Sequence, residues 1–124
     1  MSASAGSRIR RALGAWVPPL LWMGLIFWLS SQSNPPSPGF TLPDQAWHAI
    51  FYFILGALLG RATRPRGAAG ALLGVVIGSA YGFSDEFHQR FVPGRTYDLG
   101  DWAFDILGAT AGVLLVALLA RRRR

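Results

Sequence analysis

The sequence predicts an all-α protein, specifically a four-helix integral membrane bundle with both termini in the cytoplasm. Three observations predict it: long apolar runs, arginines grouped at alternating boundaries of those runs, and acidic residues at the opposite boundaries. Hydrophobic residues make up 52% of the 124 positions and form runs rather than spreading evenly. A helix needs about 20 apolar residues to cross the hydrocarbon core of a bilayer.

Four apolar runs are the candidate membrane spans. They cover residues 14–31, 46–60, 68–83 and 102–120. The second and third runs are shorter than a full span, so we expect their helices to continue into the polar residues that flank them. The first run contains Pro18 and Pro19. A helix either kinks at such a pair or begins there, and the sequence allows both.

The domain organisation follows from these runs. We expect a basic cytoplasmic N-terminal segment at 1–13, a transmembrane domain at 14–120 and a basic cytoplasmic tail at 121–124. No A-x-A-like cleavage signal follows the first run, which favours an uncleaved span; a signal peptide followed by three spans is the alternative. The proline-rich residues 32–43 predict an extended loop, and residues 61–67 predict a tight cytoplasmic turn.

The positions of the charges orient the predicted bundle. Ten of the twelve arginines fall on one side if the spans alternate, and this side should be the cytoplasm. All six acidic residues fall at or near the outer side. The chain offers no basic face for a duplex, which argues against a nucleic-acid partner. We therefore predict a multi-pass plasma-membrane protein whose partner is the lipid bilayer.

Two aspects of composition narrow the chemistry and the packing. Cysteine is absent, which excludes disulfides, thiolate metal sites and cysteine nucleophiles. Glycines recur at four-residue spacing within three of the runs, and such ridges let helix backbones approach closely in lipid. We expect them to pack within the bundle rather than to form a dimer. They are Gly56, Gly60, Gly70, Gly74, Gly78, Gly82, Gly108 and Gly112.

Polar side chains recur near the outer boundary of three predicted helices. Asp44, His48 and Tyr52 have the spacing i, i+4, i+8, which puts them on one face of the second helix. The third and fourth helices repeat this arrangement with Tyr81, Asp85, Glu86, His88 and Gln89, and with Asp101 and Asp105. Ionisable groups within a membrane should face the bundle interior and are functional candidates. The convergence predicts one outward-facing polar site.

Each candidate residue has an expected role. The catalytic candidates are His48 as general base and Asp85 or Glu86 as general acid or orienting group. Arg95 would contact a phosphate or carboxylate, or stabilise charge developing on a transferred group. The full set of substrate-binding candidates is Asp44, Tyr52, Tyr81, His88, Gln89, Arg95, Asp98, Asp101 and Asp105.

Structural explanations compete with these roles. Asp44 and Asp101 suit the N-cap positions of the second and fourth helices, and residues 92–95 (VPGR) predict a turn. Arg95 would serve equally well by neutralising nearby acids. His48 and Asp105 lie within apolar runs, where a mutual hydrogen-bond network between helices would satisfy both.

A metal site is a further alternative. His48, His88, Asp85 and Glu86 supply nitrogen and oxygen ligands suited to Zn, Mn or Fe. No recognised metal-ligand spacing supports it, so the sequence predicts no metal and no cofactor.

The motifs resemble those of the VanZ-like family of bacterial membrane proteins from about Trp22 onward. The resembling segments are LSSQS at 29–33, PDQAWHAIFYFILGALLG at 43–60, YGFSDEFHQRFVPGR at 81–95 and DLGDWAFDILGATAG at 98–112. The resemblance implies a four-span bundle, and it adds Asp98 to the site. Gln45 replaces a frequent lysine and Asp105 a frequent asparagine, which makes this site more acidic than is typical of the family.

The resemblance implies envelope function, since the name member is associated with low-level teicoplanin resistance. One hypothesis is a protein that binds an envelope lipid, a lipid-linked wall intermediate or a glycopeptide and alters envelope properties. The other is an enzyme that performs acid–base hydrolysis or group transfer on such a substrate, and the sequence leaves the choice open. Ion transport is disfavoured because the cytoplasmic halves of the spans carry no ionisable residue within the apolar core.

Overall fold

The computed structural model describes residues 4–34, 39–40, 42–95 and 98–123, which fold into α-helices without any strand in those ranges. The helices are α1 (Ala5–Ser30), α2 (Asp44–Thr63), α3 (Gly67–Gln89) and α4 (Leu99–Arg122), with a 3-10 turn at Arg64–Arg66. The all-α prediction is confirmed. The proline-rich loop lies partly outside the described residues, at 35–38 and 41, as do residues 1–3 and 124 of the predicted terminal segments.

Three helical segments within the described residues are long and apolar enough to cross a membrane. They are Ala5–Ser30, the 46-residue segment Asp44–Gln89 and Leu99–Arg122. The middle segment consists of α2, the 3-10 turn and α3. Helices α2 and α3 extend beyond their apolar runs into polar residues, as expected from the length of a span.

Helix α1 begins before its two prolines. The Ser4 hydroxyl oxygen caps it by accepting a hydrogen bond from the Ser7 amide at 3.2 Å. The helix then continues without a break through Pro18 and Pro19 to Ser30. The prolines therefore do not mark the helix start, and most of the predicted N-terminal segment 1–13 is helical.

Helices α2 and α3 form an antiparallel hairpin. The chain reverses at the 3-10 turn, where Gly67 has φ +63°. As residue numbers rise along α3, their contacts on α2 fall. Gly70 lies against Thr63, Gly78 against Leu59 and Asp85 against Tyr52. The predicted tight turn thus closes the α2–α3 hairpin.

Helices α2 and α4 run parallel and form the most extensive helix–helix contact. Their backbones touch at glycines: a methyl group at Gly56 would overlap the carbonyl of Ala109, and one at Gly112 would overlap the carbonyl of Phe53. Close approach of this kind maximises van der Waals contact between helices. The expected packing of the glycine ridges within the chain is confirmed.

Side-chain to backbone bonds attach α1 to the other helices. The Trp22 indole donates to the Phe51 carbonyl at 2.9 Å, and the Tyr81 hydroxyl donates to the Met23 carbonyl at 2.5 Å. Arg61 Nη1 donates to the Gly14 carbonyl at 3.1 Å, so the contacts of α1 with α2 pair residue 14 with 61 and residue 22 with 51, and the two helices are antiparallel. The C-terminal ends of α1 and α3 and the N-terminal ends of α2 and α4 meet at one end of the bundle. We call this the polar end; the arginine-rich residues 61–66 lie at the opposite end.

Candidate functional site

Five ionisable side chains from α2, α3 and α4 meet at the polar end. We call them the polar cluster: His48, Asp85, Glu86, Asp101 and Asp105. Helical spacing explains their convergence, since Asp101 and Asp105 are one turn apart on α4, and Asp85 and Glu86 lie on the last turns of α3. Glycine contacts bring α2 and α4 close enough for His48 to reach α4.

His48 is at the centre of the polar cluster. Its Nδ1 lies 2.6 Å from Asp105 Oδ1, a hydrogen bond between α2 and α4, and 3.8 Å from Glu86 Oε1. Its Nε2 faces the other way, 3.7 Å from Asp101 Oδ2. A carboxylate on Nδ1 fixes the orientation of an imidazole, so Asp105 positions the His48 ring.

Asp85 connects three helices. It accepts hydrogen bonds from the Tyr52 hydroxyl of α2, at 3.2 Å, and from the Ser30 hydroxyl of α1. Sequence reasoning missed Ser30. Its signal was its position at the end of the first apolar run, which the alternating topology places at the same boundary as Asp85.

Three buried carboxylate oxygens of the polar cluster have no hydrogen-bond partner among the described residues: Glu86 Oε1, Asp101 Oδ1 and Asp105 Oδ2. The Glu86 and Asp105 residues are 0% exposed. Glu86 Oε2 accepts only a long bond, 3.4 Å, from the Asp98 amide. Buried polar atoms in folded proteins are nearly always paired. A network whose sole purpose is to join helices should be better satisfied than this one.

Exposure increases from Glu86 and Asp105, which are 0% exposed, toward the surface of the polar end. Asp44 and Asp98 are exposed, while the side chains of His48 and Asp101 are 14% and 10% exposed. The buried carboxylates therefore lie beneath a partly exposed layer made by His48 and Asp101.

Other predicted site residues lie outside the polar cluster. His88 Nε2 is 3.0 Å from the Ser31 hydroxyl, and its ring stacks on Phe27. The Tyr81 hydroxyl is bonded to α1, although its ring lies 6.4 Å from that of Tyr52. Gln89 is buried near the end of α3.

Within the described residues, Arg95 donates hydrogen bonds to two backbone carbonyls. Its Nε donates to the Gln32 carbonyl at 2.7 Å and its Nη2 to the Leu29 carbonyl at 2.8 Å. These bonds satisfy carbonyls at the C-terminal end of α1. The predicted turn at residues 92–95 is present. The Arg95 amide donates to the Val92 carbonyl, and Gly94 has φ +80°.

The predicted helix caps need correction. Asp98, not Asp101, caps α4, because the helix begins at Leu99 and Asp98 Oδ1 accepts from the Gly100 amide at 2.8 Å. Asp101 lies in the first turn and joins the polar cluster. Asp44 begins α2 without a side-chain capping bond, since Pro43 occupies the cap position.

An apolar groove runs between α2 and α4 beside the polar cluster. It is open rather than enclosed, and Ala49 and Phe104 directly adjoin His48 and Asp105 in the sequence. The residues that line it are Ala49, Ile50, Phe53, Phe104, Leu107, Gly108 and Ala111.

The fold and the polar cluster define a class: a helical membrane protein with a buried acid–histidine cluster at one end of its helices. The chain belongs to the VanZ/LLP1 family, whose model matches residues 15–120 of the 124. The resemblance inferred from the motifs is confirmed. Neither the curated proteins nor the solved structures gave a match.

Proposed function

We propose that α1, α2, α3 and α4 each cross the plasma membrane, with both termini in the cytoplasm and the polar end at the outer face. The charge distribution supports this orientation. The arginines at the start of α1, at residues 61–66 and at the end of α4 share one end of the bundle. A concentration of arginine in short loops is characteristic of the cytoplasmic side.

The protein binds an envelope lipid or a lipid-linked wall intermediate at this outer end. One observation carries the proposal: the polar cluster and the apolar groove adjoin on the same two helices, α2 and α4. An amphiphile has the same division, since its head group needs polar partners and its chain needs apolar surface. Through such binding the protein alters envelope properties, and the family resemblance extends this to teicoplanin-type resistance.

The head group meets His48 and Asp101 first. Their side chains are 14% and 10% exposed, whereas Glu86 and Asp105 are 0% exposed. Ionised carboxylates accept hydrogen bonds and donate none. The cluster therefore favours head groups that present hydroxyl or amine donors, such as the sugars and amines of wall intermediates and glycopeptides.

Mass spectrometry of lipids that co-purify with the protein tests this function. The informative variants are Asp101→Asn in the polar cluster and Ala111→Phe, which fills the groove without touching the cluster. Leu72→Phe is the matched control, because Leu72 is 65% exposed on α3 and lies outside the groove. We expect one lipid class to be retained by the wild type and the control and lost by both variants. Identical bound lipids in all four proteins would exclude this binding function.

A second function, acid–base catalysis on the same kind of substrate, is favoured by the His48–Asp105 pair. Asp105 holds Nδ1 while Nε2 faces the partly exposed side of the polar cluster, an arrangement suited to a general base. Envelope lipids from cells that make the wild type or His48→Gln at equal membrane levels distinguish the two. A lipid species that appears or vanishes only with intact His48 identifies an enzyme, whereas unchanged profiles with altered co-purification identify a binding protein.

A further inference from the structure

We propose that the inner part of the polar cluster is a divalent-cation site formed by His48, Asp85, Glu86 and Asp105. Each residue offers one ligand atom, and the four atoms lie within 4.8 Å of one another. The site does not depend on which head group binds outside it. The sequence predicted no metal because the four ligands come from three helices and show no recognised spacing.

The first argument is the unsatisfied chemistry of the site. Glu86 Oε1 and Asp105 Oδ2 are buried, belong to residues with 0% exposure, and have no hydrogen-bond partner in the part of the chain that the structure describes. They come from different helices, α3 and α4, and both residues contact the same His48 nitrogen. Two acceptors without donors around one point require a donor or a positive ion between them.

The second argument is charge. The polar cluster combines four carboxyl groups with a single imidazole, and three of those carboxyl groups, Glu86, Asp101 and Asp105, lie within 3.8 Å of the His48 ring nitrogens. Carboxylates buried together are stabilised when they are paired or bound to a metal. A divalent cation balances two of these charges at once, and one proton on His48 does not.

The third argument is the orientation of His48. Nδ1 points inward to Glu86 and Asp105, while Nε2 points to Asp101 Oδ2. A histidine that binds a metal usually donates its other ring N–H to a carboxylate, which fixes the tautomer. Asp101 Oδ2 is 3.7 Å from Nε2, so a shift of about 1 Å would let it accept that bond. On binding, the metal replaces the proton shared by His48 Nδ1 and Asp105, and that proton is released to solvent.

The ligand types select the class of cation. One imidazole with three carboxylates is a mixed nitrogen and oxygen set, which suits Mn²⁺, Fe²⁺ or Zn²⁺ better than the all-oxygen coordination preferred by Ca²⁺ and Mg²⁺. His88 is excluded from the set because its Nε2 is engaged with Ser31 and its ring stacks on Phe27. The protein's two histidines therefore provide an internal comparison.

Titration of the full-length, metal-stripped protein in detergent with Mn²⁺, followed by electron paramagnetic resonance, tests the site. We expect one Mn²⁺ per chain, displaced by Zn²⁺, with nitrogen coupling from one imidazole. Glu86→Gln and Asp105→Asn should each weaken binding at least about 10-fold, the smaller loss seen when only an outer-shell partner is removed. His48→Gln should abolish the nitrogen coupling, and His88→Gln should leave both affinity and coupling unchanged.

Three results would overturn the proposal. The first is the absence of stoichiometric Mn²⁺ or Zn²⁺ binding by the folded wild type. The second is wild-type affinity in Glu86→Gln. The third is loss of the nitrogen coupling in His88→Gln rather than in His48→Gln. Glu86→Gln decides the matter alone if Asp105→Asn does not fold. Because the probe is the metal itself, loss of lipid binding in the earlier experiment leaves this result unaffected.

Discussion

Helices α2 and α4 contact each other along two regions that differ in chemistry. Toward the middle and the arginine end the contact is made by backbone, at Gly56, Gly108 and Gly112. Toward the polar end it is made by side chains, through His48 and Asp105. The glycine region has no unpaired polar side chain among its described residues, whereas the polar region has two unpaired carboxylate oxygens, Asp101 Oδ1 and Asp105 Oδ2. Along one interface, the protein keeps close packing and reactive groups apart.

The amino acids in the two regions are restricted for different physical reasons. Glycine contacts leave no room for a larger side chain, so their sequence is restricted by shape. The carboxylates of the polar cluster face restriction of another kind: burial without partners costs stability, and a group that is costly in this way is usually kept for its function.

Enlarging the glycine contact should have the largest effect. Gly56→Ala places a methyl group into the Ala109 carbonyl, which forces α2 and α4 apart and should lower the free energy of unfolding by about 3 kcal/mol or more. Gly24→Ala is the matched control, since a methyl group there meets nothing within 4 Å. Thermal unfolding in detergent measures both. Equal melting temperatures for the two variants would contradict the tight interface.

Removing Arg95 should have the next largest effect, and it should act on stability. Arg95→Ala removes hydrogen bonds to the Leu29 carbonyl in α1 and to the Gln32 carbonyl just after α1, and should cost about 2 kcal/mol, because bonds from charged donors are stronger than neutral ones. Lipid and Mn²⁺ binding by the folded fraction should remain. Loss of lipid binding without any change in unfolding would instead support the role in anion binding that the sequence suggested.

Neutralising Glu86 should change stability in the opposite direction. Glu86→Gln removes one buried carboxylate from an acidic cluster while keeping its shape, so the metal-free protein should become more stable by about 1 kcal/mol. Added Mn²⁺ should raise the melting temperature of the wild type and not that of the variant. A variant that is less stable than the metal-free wild type would show that Glu86 stabilises the fold.

Tyr52→Phe should have the smallest effect. It removes the hydroxyl that donates to Asp85 at 3.2 Å, and single hydrogen bonds between membrane helices contribute about 0.6 kcal/mol on average. Chemical denaturation at equilibrium resolves a difference of this size. A loss several times larger would mean that Tyr52 supports the whole polar cluster rather than Asp85 alone.

The sequence predicted the helices and their faces well. Apolar length and arginine position located every helix, and i, i+4 spacing on α2 and α4 predicted that His48 and Asp105 face the same interior. These features depend on local periodicity, which can be recognised in the sequence of each segment by itself. The functional roles assigned to the polar residues stay predictions.

The sequence did not predict features that depend on contacts between distant segments or on where a helix actually begins. Asp98 and Asp101 are three residues apart and both suit a helix cap, so only the actual start of α4 separates them. Arg95 had several acids nearby in the sequence, yet its partners are carbonyls more than 60 residues away. Ser30 became relevant only because α1 ends beside Asp85.

The parallel contact of α2 with α4 also bears on biogenesis. The two partners in the His48–Asp105 bond are separated by 57 residues, and the hairpin of α2 with α3 is synthesised before α4 begins. While the ribosome is still making α4, His48, Asp85 and Glu86 lack the helix that completes their surroundings. The nascent chain therefore cannot form the complete cluster until α4 has been synthesised, and a chain truncated before α4 would leave the cluster incomplete.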